Sequence, residues 1–211
     1  MSMRHSVVLE LKRCRGCTTC IKCCPTEAIR VRDGKAHILA ERCIDCGECI
    51  RLCPYQAKKA VCDSLADFKN YKWKIALPAP ALYGQFDNLD DLDYIVSGLL
   101  ECGFDDVFEV SAAAELVSEA TRAYLTEHEE QLPLISTACP SVVRLIRVRF
   151  PNLIPHLLPL NPPVEVAAGL AVKRAMEKTG LPREDIGICF ISPCPSKVTY
   201  ARSPIGIEKS E

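Results

Sequence analysis

The sequence predicts an α+β module followed by an α/β domain with a largely parallel sheet. Three observations carry this: a cysteine-rich stretch repeated at an offset of 29 residues, a change of character near Trp73, and an alternation of strand-like and helix-like apolar patterns from there on. The expected boundaries are 1–62 for the module, 63–72 for a linker and 73–211 for the α/β domain.

Composition limits the possibilities. Of 211 residues 48% are hydrophobic, enough for a packed core, and no run of about 18 apolar residues offers a membrane span. The start, MSMRHSVVLELKR, lacks the apolar stretch and cleavage site of an export signal, so a cytoplasmic location is expected. Fourteen cysteines in such a chain point to metals or catalysis, because cytosolic thiols are kept reduced. The net charge of −1 hides an asymmetry: residues 1–72 carry 14 Lys/Arg against 8 Asp/Glu, and residues 73–211 carry 12 against 19. There is no nucleic-acid module and no aromatic interleaving. The basic first third therefore reads as a surface for an acidic redox partner protein, with neither nucleic acid nor membrane expected as a partner.

In the first module, RCRGCTTCIKCCPTEAI (Arg13 to Ile29) aligns with RCIDCGECIRLCPYQAK (Arg42 to Lys58), matching an arginine, four cysteines, an isoleucine, a proline and an alanine. Each copy reads C-x2-C-x2-C-x3-C-P, the run that two-cluster ferredoxins use for 4Fe-4S cubanes. Three closely spaced thiolates on one loop meet three irons, while the fourth cysteine opens a short helix and reaches the other cubane. Zinc also uses C-x2-C knuckles, but eight cysteines in two such runs exceed what tetrahedral pairs need. The module thus resembles the bacterial-type ferredoxins. The resemblance assigns Cys14, Cys17, Cys20 and Cys53 to one 4Fe-4S cluster and Cys43, Cys46, Cys49 and Cys24 to the other. Gly16 and Gly47 are expected to let backbone amides approach cluster sulfurs, and Pro25 and Pro54 to turn the chain after the last ligand. VVLELK reads as a strand and RVRDGKAHI as a hairpin turning at Asp33-Gly34, giving the order β-α-β-β-α. Cys23 and Cys62 read as packing residues. Two cubanes in one small module lie close enough for electron tunnelling, which makes the module a wire.

Beyond the linker, WKIALPAPAL reads as a short apolar strand broken by Pro78 and Pro80. NLDDLDYIVSGLLECG follows as a helix with Leu92, Ile95, Val96, Leu99 and Leu100 at helical spacing and Gly103 as its stop. Then come strand DDVFEV, helix SAAAELVSEATRAYLTEHEE, strand LPLIST, helix VEVAAGLAVKRAMEKTG ending at Gly180, and an apolar strand in IGICFISPCPSK. Cys139-Pro140 opens an amphipathic helix whose apolar positions are Val142, Val143, Leu145, Ile146 and Phe150. Cys139 and Cys194 are expected to leave parallel strands at their carboxyl ends, where α/β sheets bind ligands. Each has two readings, a small apolar residue or a metal ligand. Cys102 and Cys189 read as packing residues.

At TACPSVVRLIRVRFPNLIPHL and SPCPSK the chain, from about Ile75 to its end, resembles the catalytic domain of the iron-only (diiron) hydrogenases, whose H-cluster joins a 4Fe-4S cubane to a two-iron site. The former stretch is similar to the family's T-S-C-C-P followed by an aromatic-rich helix and YPEL.P.L. The latter is similar to M-P-C-x-x-K. The resemblance implies that Cys139 and Cys194 are H-cluster cubane ligands and that Lys197 hydrogen-bonds a cyanide of the diiron site. The departures matter as much. Ala138 stands where active members carry a proton-donating cysteine, Pro162 replaces the serine of a K-S-P segment, and an acidic pair is reduced to Glu119 followed by Ala120. Alanine and proline side chains relay no protons, so the pattern is closer to the sensory or uncharacterised branches, and hydrogen turnover is expected to be slow or sensory. The family's third motif, of C-x-x-G-C-x-x-G-G type, is missing. The end SPIGIEKSE has no helix cap, strand or polar tail, so a fragment with a half-built H-cluster site is expected.

The expected function is iron–sulfur electron transfer in a cytoplasmic protein of an anaerobe. Two 4Fe-4S clusters relay electrons to or from an H-cluster-type site, and the full-length protein is a hydrogenase-like oxidoreductase. The alternative is a non-catalytic ferredoxin-type carrier, or a redox- or hydrogen-sensing regulator with a signalling partner and no assembled H-cluster.

Overall fold

A computed structural model describes residues 5–87 and 91–203. Asn88 to Asp90, which begin one expected helix, and all but the first residue of the SPIGIEKSE tail lie outside the described residues. The chain forms two units, each discontinuous in sequence. One comprises Met1–Cys62, Pro133–Pro159 and Cys194–Glu211, the other Asp63–Leu132 and Leu160–Pro193.

In the first unit, β1 (Val7–Leu9), α1 (Thr19–Lys22), β2 (Ile29–Arg32), β3 (Lys35–Ile38), α2 (Glu48–Arg51) and β4 (Lys58–Ala60) follow one another. β4 is one strand more than the expected order holds, and it pairs antiparallel with β1, Leu9 opposite Lys58. β2 and β3 form a hairpin whose turn residues Asp33 and Gly34 are both left-handed, at φ 50° and 69°. Two such residues match the right-handed twist of paired strands, which is why Asp-Gly serves there. The duplication extends to the backbone. Left-handed residues at Gly16, Thr18 and Glu27 recur 29 positions later at Asp45, Gly47 and Gln56. Gly16 has a packing reason beyond its dihedral: a Cβ there would lie 2.6 Å from the Gly34 carbonyl oxygen. Its close approach is thus to the hairpin turn.

The same unit contains α6 (Pro140–Arg149), a 3₁₀ turn at Pro151–His156 and α8 (Pro195–Arg202). The expected strand LPLIST is not part of any sheet. Pro133 has no N–H to donate, and Ile135 makes a single parallel bridge to Leu157, with Ile135 N–H bonded to His156 O and Leu158 N–H to Ile135 O. This backbone is thereby committed to its neighbours in the same segment. On α6, Val143 and Ile146 pack with Leu157, but Val142 and Phe150 are exposed and Arg144 is buried in their stead.

In the second unit, β5 (Trp73–Pro78) is the centre of a parallel three-stranded sheet, flanked by β6 (Asp106–Val107) and β7 (Ile186–Ile191). The helices are α3 (Pro80–Tyr83), α4 (Asp93–Glu101), α5 (Val110–Glu127) and α7 (Pro163–Thr179). Ile75, Leu77 and Ile186 form the core with Val110 and Ala113 of α5 and Ala167, Ala171 and Ala175 of α7. The alanines recur every fourth residue, so one narrow face of α7 turns inward and allows close packing. α7 ends at Gly180, left-handed at φ 69°, as a helix C-terminus favours. Among the described residues, no helix is long and apolar enough to cross a membrane.

Gly187 of β7 lies under the ring of Tyr71: a Cβ there would approach Tyr71 Cγ and Cδ2 to 2.6 Å. Gly187→Ala is expected to lower stability by about 1–3 kcal/mol through overpacking. Urea unfolding measures the loss, and Tyr71→Ala in the same chain should relieve most of it.

Candidate metal centre

The eight cysteines of the repeat line two voids, four to each. Cys14, Cys17, Cys20 and Cys53 border the first, together with Val31 and Lys58. Cys24, Cys43, Cys46 and Cys49 border the second, together with Ile29 and Asp45. Each set takes one cysteine from the other copy of the repeat: α1 and α2 pack against each other, and Cys24 and Cys53, which follow these helices and do not open helices as expected, border the other copy's void. Each void encloses about 350 Å³, its open mouth included. Four cysteine sulfurs around one void, repeated in the other, are the donor set of a cubane, whose four irons each take one thiolate. Backbone N–H groups already point at sulfur: Ala28 to Cys24 Sγ and Ala57 to Cys53 Sγ, both at 3.2 Å, and Ala36 to Cys14 Sγ at 3.5 Å. Burial pushes the Cys49 thiol up to about 12, and Cys20 and Cys46 upward as well. Hydrogen bonding to Thr19 shifts Cys17 the other way, downward. The residues fit an iron–sulfur cubane.

The loop of the second void is fastened to α6 and α8 through one buried carboxylate. Asp45, left-handed at φ 52° and with its side chain at 0% exposure, sits between Cys43 and Cys46. Its Oδ2 lies 2.9 Å from each of His5 Nδ1, Arg144 Nη1 and Thr199 Oγ1, and its Oδ1 accepts from the Val7 N–H at 3.3 Å. Ser6 N–H donates to Thr199 Oγ1 at 3.1 Å, the Ser6 hydroxyl to the Pro195 carbonyl, and the Ser141 hydroxyl to Ile44 O at 3.3 Å. Gly47 abuts Pro195, whose Cγ would be 3.2 Å from an added Cβ.

The charges are consistent with this packing. The hydrogen bond to Asp45, and after it one to Cys43, pushes His5 up to about 10. Burial pushes the Asp45 carboxyl up, but its bonds to His5, Thr199 and Val7 outweigh that and hold it below the usual carboxylate range. Burial lowers Arg144, and Asp45 opposes the shift. One carboxylate thus compensates two cations. His5, Cys43 and Asp45 also form a cluster of potential metal donors. Cys43 belongs to the second void and Asp45 is held by Arg144, so this cluster is part of the same centre.

Cys139 and Cys194 occupy equivalent places, as the residues preceding α6 and α8. Both are extended (φ −108°, ψ 108° and φ −95°, ψ 111°), and both are followed by a proline in the first helical turn. Only Cys194 follows a sheet strand, β7. α6 and α8 pack against each other, which brings both cysteine-bearing helix starts into the unit that holds the second void. Cys139 is exposed and Cys194 half-buried. Lys197 is half-buried in the first turn of α8, its N–H bonded to Cys194 O at 3.2 Å. Ala138 bonds its N–H to Ser136 Oγ at 3.4 Å and offers no side-chain proton donor beside Cys139. Pro162 precedes α7 and Glu119 is exposed on α5, both in the other unit. Cys62 and Cys102 are exposed, so they are not packing residues.

Residues 72–204 match the family model for the iron only hydrogenase large subunit, C-terminal domain. The chain belongs to the iron-only hydrogenase family. Residues 6–54 match the 4Fe-4S dicluster domain, and together the matches make this hydrogenase-family chain an iron–sulfur protein. It is 28% identical over 212 residues to the periplasmic [Fe] hydrogenase large subunit of Nitratidesulfovibrio vulgaris, covering 92% of this chain and 50% of that one. To the NADP-reducing hydrogenase subunit HndD of Solidesulfovibrio fructosivorans it is 24% identical over 112 residues, covering 49% and 19%. Among solved structures it is similar to the [FeFe]-hydrogenase HydA(deltaEFG) with TM-score 0.55 and 26% identity, over 65% of this chain and 37% of that one. A variant of HydA1 from Chlamydomonas reinhardtii gives TM-score 0.51 and 26% identity, over 59% and 34%. The chain spans at most half the length of these curated relatives.

Within this hydrogenase-family chain, reasoning from sequence missed Asp45, His5, Arg144, Thr199 and Lys58. Two of them carried a signal. Asp45 and Lys58 are two of the nine positions at which the aligned copies differ, charged residues standing opposite Gly16 and Ile29. Arg144 stands among the apolar positions of α6, and an arginine in such a place is ordinarily solvent-facing.

Proposed function

We propose that the chain holds two 4Fe-4S clusters, one on Cys14, Cys17, Cys20 and Cys53 and one on Cys24, Cys43, Cys46 and Cys49, and relays electrons to or from an H-cluster-type site that Cys139 and Cys194 help to form. The sorting of eight cysteines into two four-sulfur voids carries this reading. A bound cubane supplies storage and transfer of one electron at a time. The chain supplies position. Asp45, Ser141 and Pro195 tie the second void to the helices that begin at Cys139 and Cys194. The second void is therefore the inner station of the wire and the first void the outer one. Lys197, at the start of α8, would donate to an anionic diatomic ligand of the diiron site. With Ala138 beside Cys139, proton delivery lacks its donor, so turnover is slow or serves sensing of hydrogen or redox state. The basic first third suits an acidic redox partner, and a cytoplasmic setting in an anaerobe completes the reading.

Anaerobic reconstitution is expected to give about eight irons per chain, with matching acid-labile sulfide. Two zincs, or a single cubane, would overturn the proposal. A regulator without an assembled H-cluster is the alternative reading, favoured by Ala138. Hydrogen–deuterium exchange by the full-length gene product after diiron maturation separates the two: exchange supports the catalytic site, and its absence supports the regulator.

A further inference from the structure

The two halves of the repeat share backbone conformation and sulfur hydrogen bonds, and beside the Asp45–Gly16 difference they part at a second buried position. Ile29 opens β2 and borders the second void. Its counterpart 29 residues on, Lys58, opens β4 and borders the first. Both are 3% exposed. An isoleucine there needs no explanation. A lysine does, because the Lys58 Nζ is buried and has no hydrogen-bond partner among the described residues.

A buried, unpaired ammonium is costly, and proteins keep one where an anion compensates it. No carboxylate among the described residues reaches Lys58 Nζ. Four thiolates around a cubane make a net anion, and reduction adds a further negative charge. On the reading proposed above, that anion occupies the void that Lys58 borders. Lys58 borders the first void and is not among the residues that border the second.

We propose that Lys58 is the residue that sets the two clusters apart: its ammonium faces the cluster of the first void and raises that cluster's reduction potential above that of its twin, whose corresponding wall is Ile29. Reduction takes one electron from a reductant such as dithionite and makes or breaks no bond in the chain, so a fixed charge nearby acts directly on the potential. The electron then resides preferentially in the first, outer void. Lys58 thereby biases flow outward, away from Cys139 and Cys194 and toward the redox partner, the direction that hydrogen oxidation or hydrogen sensing requires.

The test rests on the two-cluster reading and is arranged to fail separately from it. Reconstituted wild type, Lys58→Met and Lys58→Arg are titrated with dithionite and followed by electron paramagnetic resonance. Cys53→Ala and Cys24→Ala chains identify the signal of each void. Lys58→Met should keep about eight irons and lower the first-void potential by at least tenfold in the reduction equilibrium, which is 59 mV for one electron. The second-void potential should move less, and Lys58→Arg should stay near wild type. If Lys58→Met does not fold, Lys58→Gln removes the same charge with a polar side chain of similar reach. Either neutral variant holding both clusters with an unchanged first-void potential, or with both potentials moved equally, overturns the inference. A wild-type chain that takes up fewer than two cubanes overturns the reading beneath it before any variant is compared.

Discussion

Asp45→Ala is expected to lower the unfolding free energy by about 3–5 kcal/mol, the range for removing one partner of a buried ion pair. The carboxylate is wholly buried and holds His5, Arg144 and Thr199. Its loss strands two cations, and Arg144 Nε and Nη2 already lack partners among the described residues. Alanine also fits the left-handed backbone at φ 52° poorly, whereas aspartate tolerates it. Anaerobic urea unfolding of Asp45→Ala, Arg144→Met and the double variant measures the coupling. The two losses should fall well short of adding, because replacing both partners leaves a smaller burden than stranding one. Simple additivity, or an Asp45→Ala loss within about 0.5 kcal/mol of zero as at an ordinary surface site, would show that the carboxylate does not hold α6 and α8 to the second void.

The other large effect concerns the crossing of the repeat. Cys53 lies only four residues after Cys49, yet it borders the void of Cys14, Cys17 and Cys20. Cys53→Ala should therefore remove about four of about eight irons, and adding Cys20→Ala should remove no more. Combining Cys53→Ala with Cys49→Ala should instead abolish both clusters. Iron and sulfide analysis reads this directly, and the opposite pattern, with Cys53 and Cys49 acting on one cluster, would disprove the crossed arrangement. The two crossing residues are alike in backbone geometry, since Cys24 and Cys53 each accept an amide hydrogen bond from four residues on, Ala28 and Ala57. That bond orients each sulfur in the same way in both halves.

Much of this was readable in one dimension because its cause is local. The Asp33-Gly34 hairpin needs two left-handed residues in succession, and the dipeptide states that need. The alanines of α7 and the run Ile75-Ala76-Leu77 in β5 declare a helix face and a buried strand by periodicity alone. LPLIST misled for the same reason. Its apolar pattern is strand-like, but strands need partners, and the cross-chain backbone pairing of Ile135 is with residues 156–158, outside any sheet.

What the sequence by itself determined is the chemistry: two C-x2-C-x2-C-x3-C-P runs specify thiolate sets, and Cys139-Pro140 specifies a helix start, whereas the helix that begins at Cys194-Pro195 emerged only in the fold. What only the tertiary structure decided is which of these groups meet and what is buried between them. Arg144 and Thr199 reach Asp45 across 99 and 154 residues of chain, and no local propensity encodes contacts at that separation. The burial of Lys58 is likewise a property of the folded module. A lysine in sequence is a surface charge by default, and it became a feature of the first void only because the repeat places it where its twin position holds Ile29.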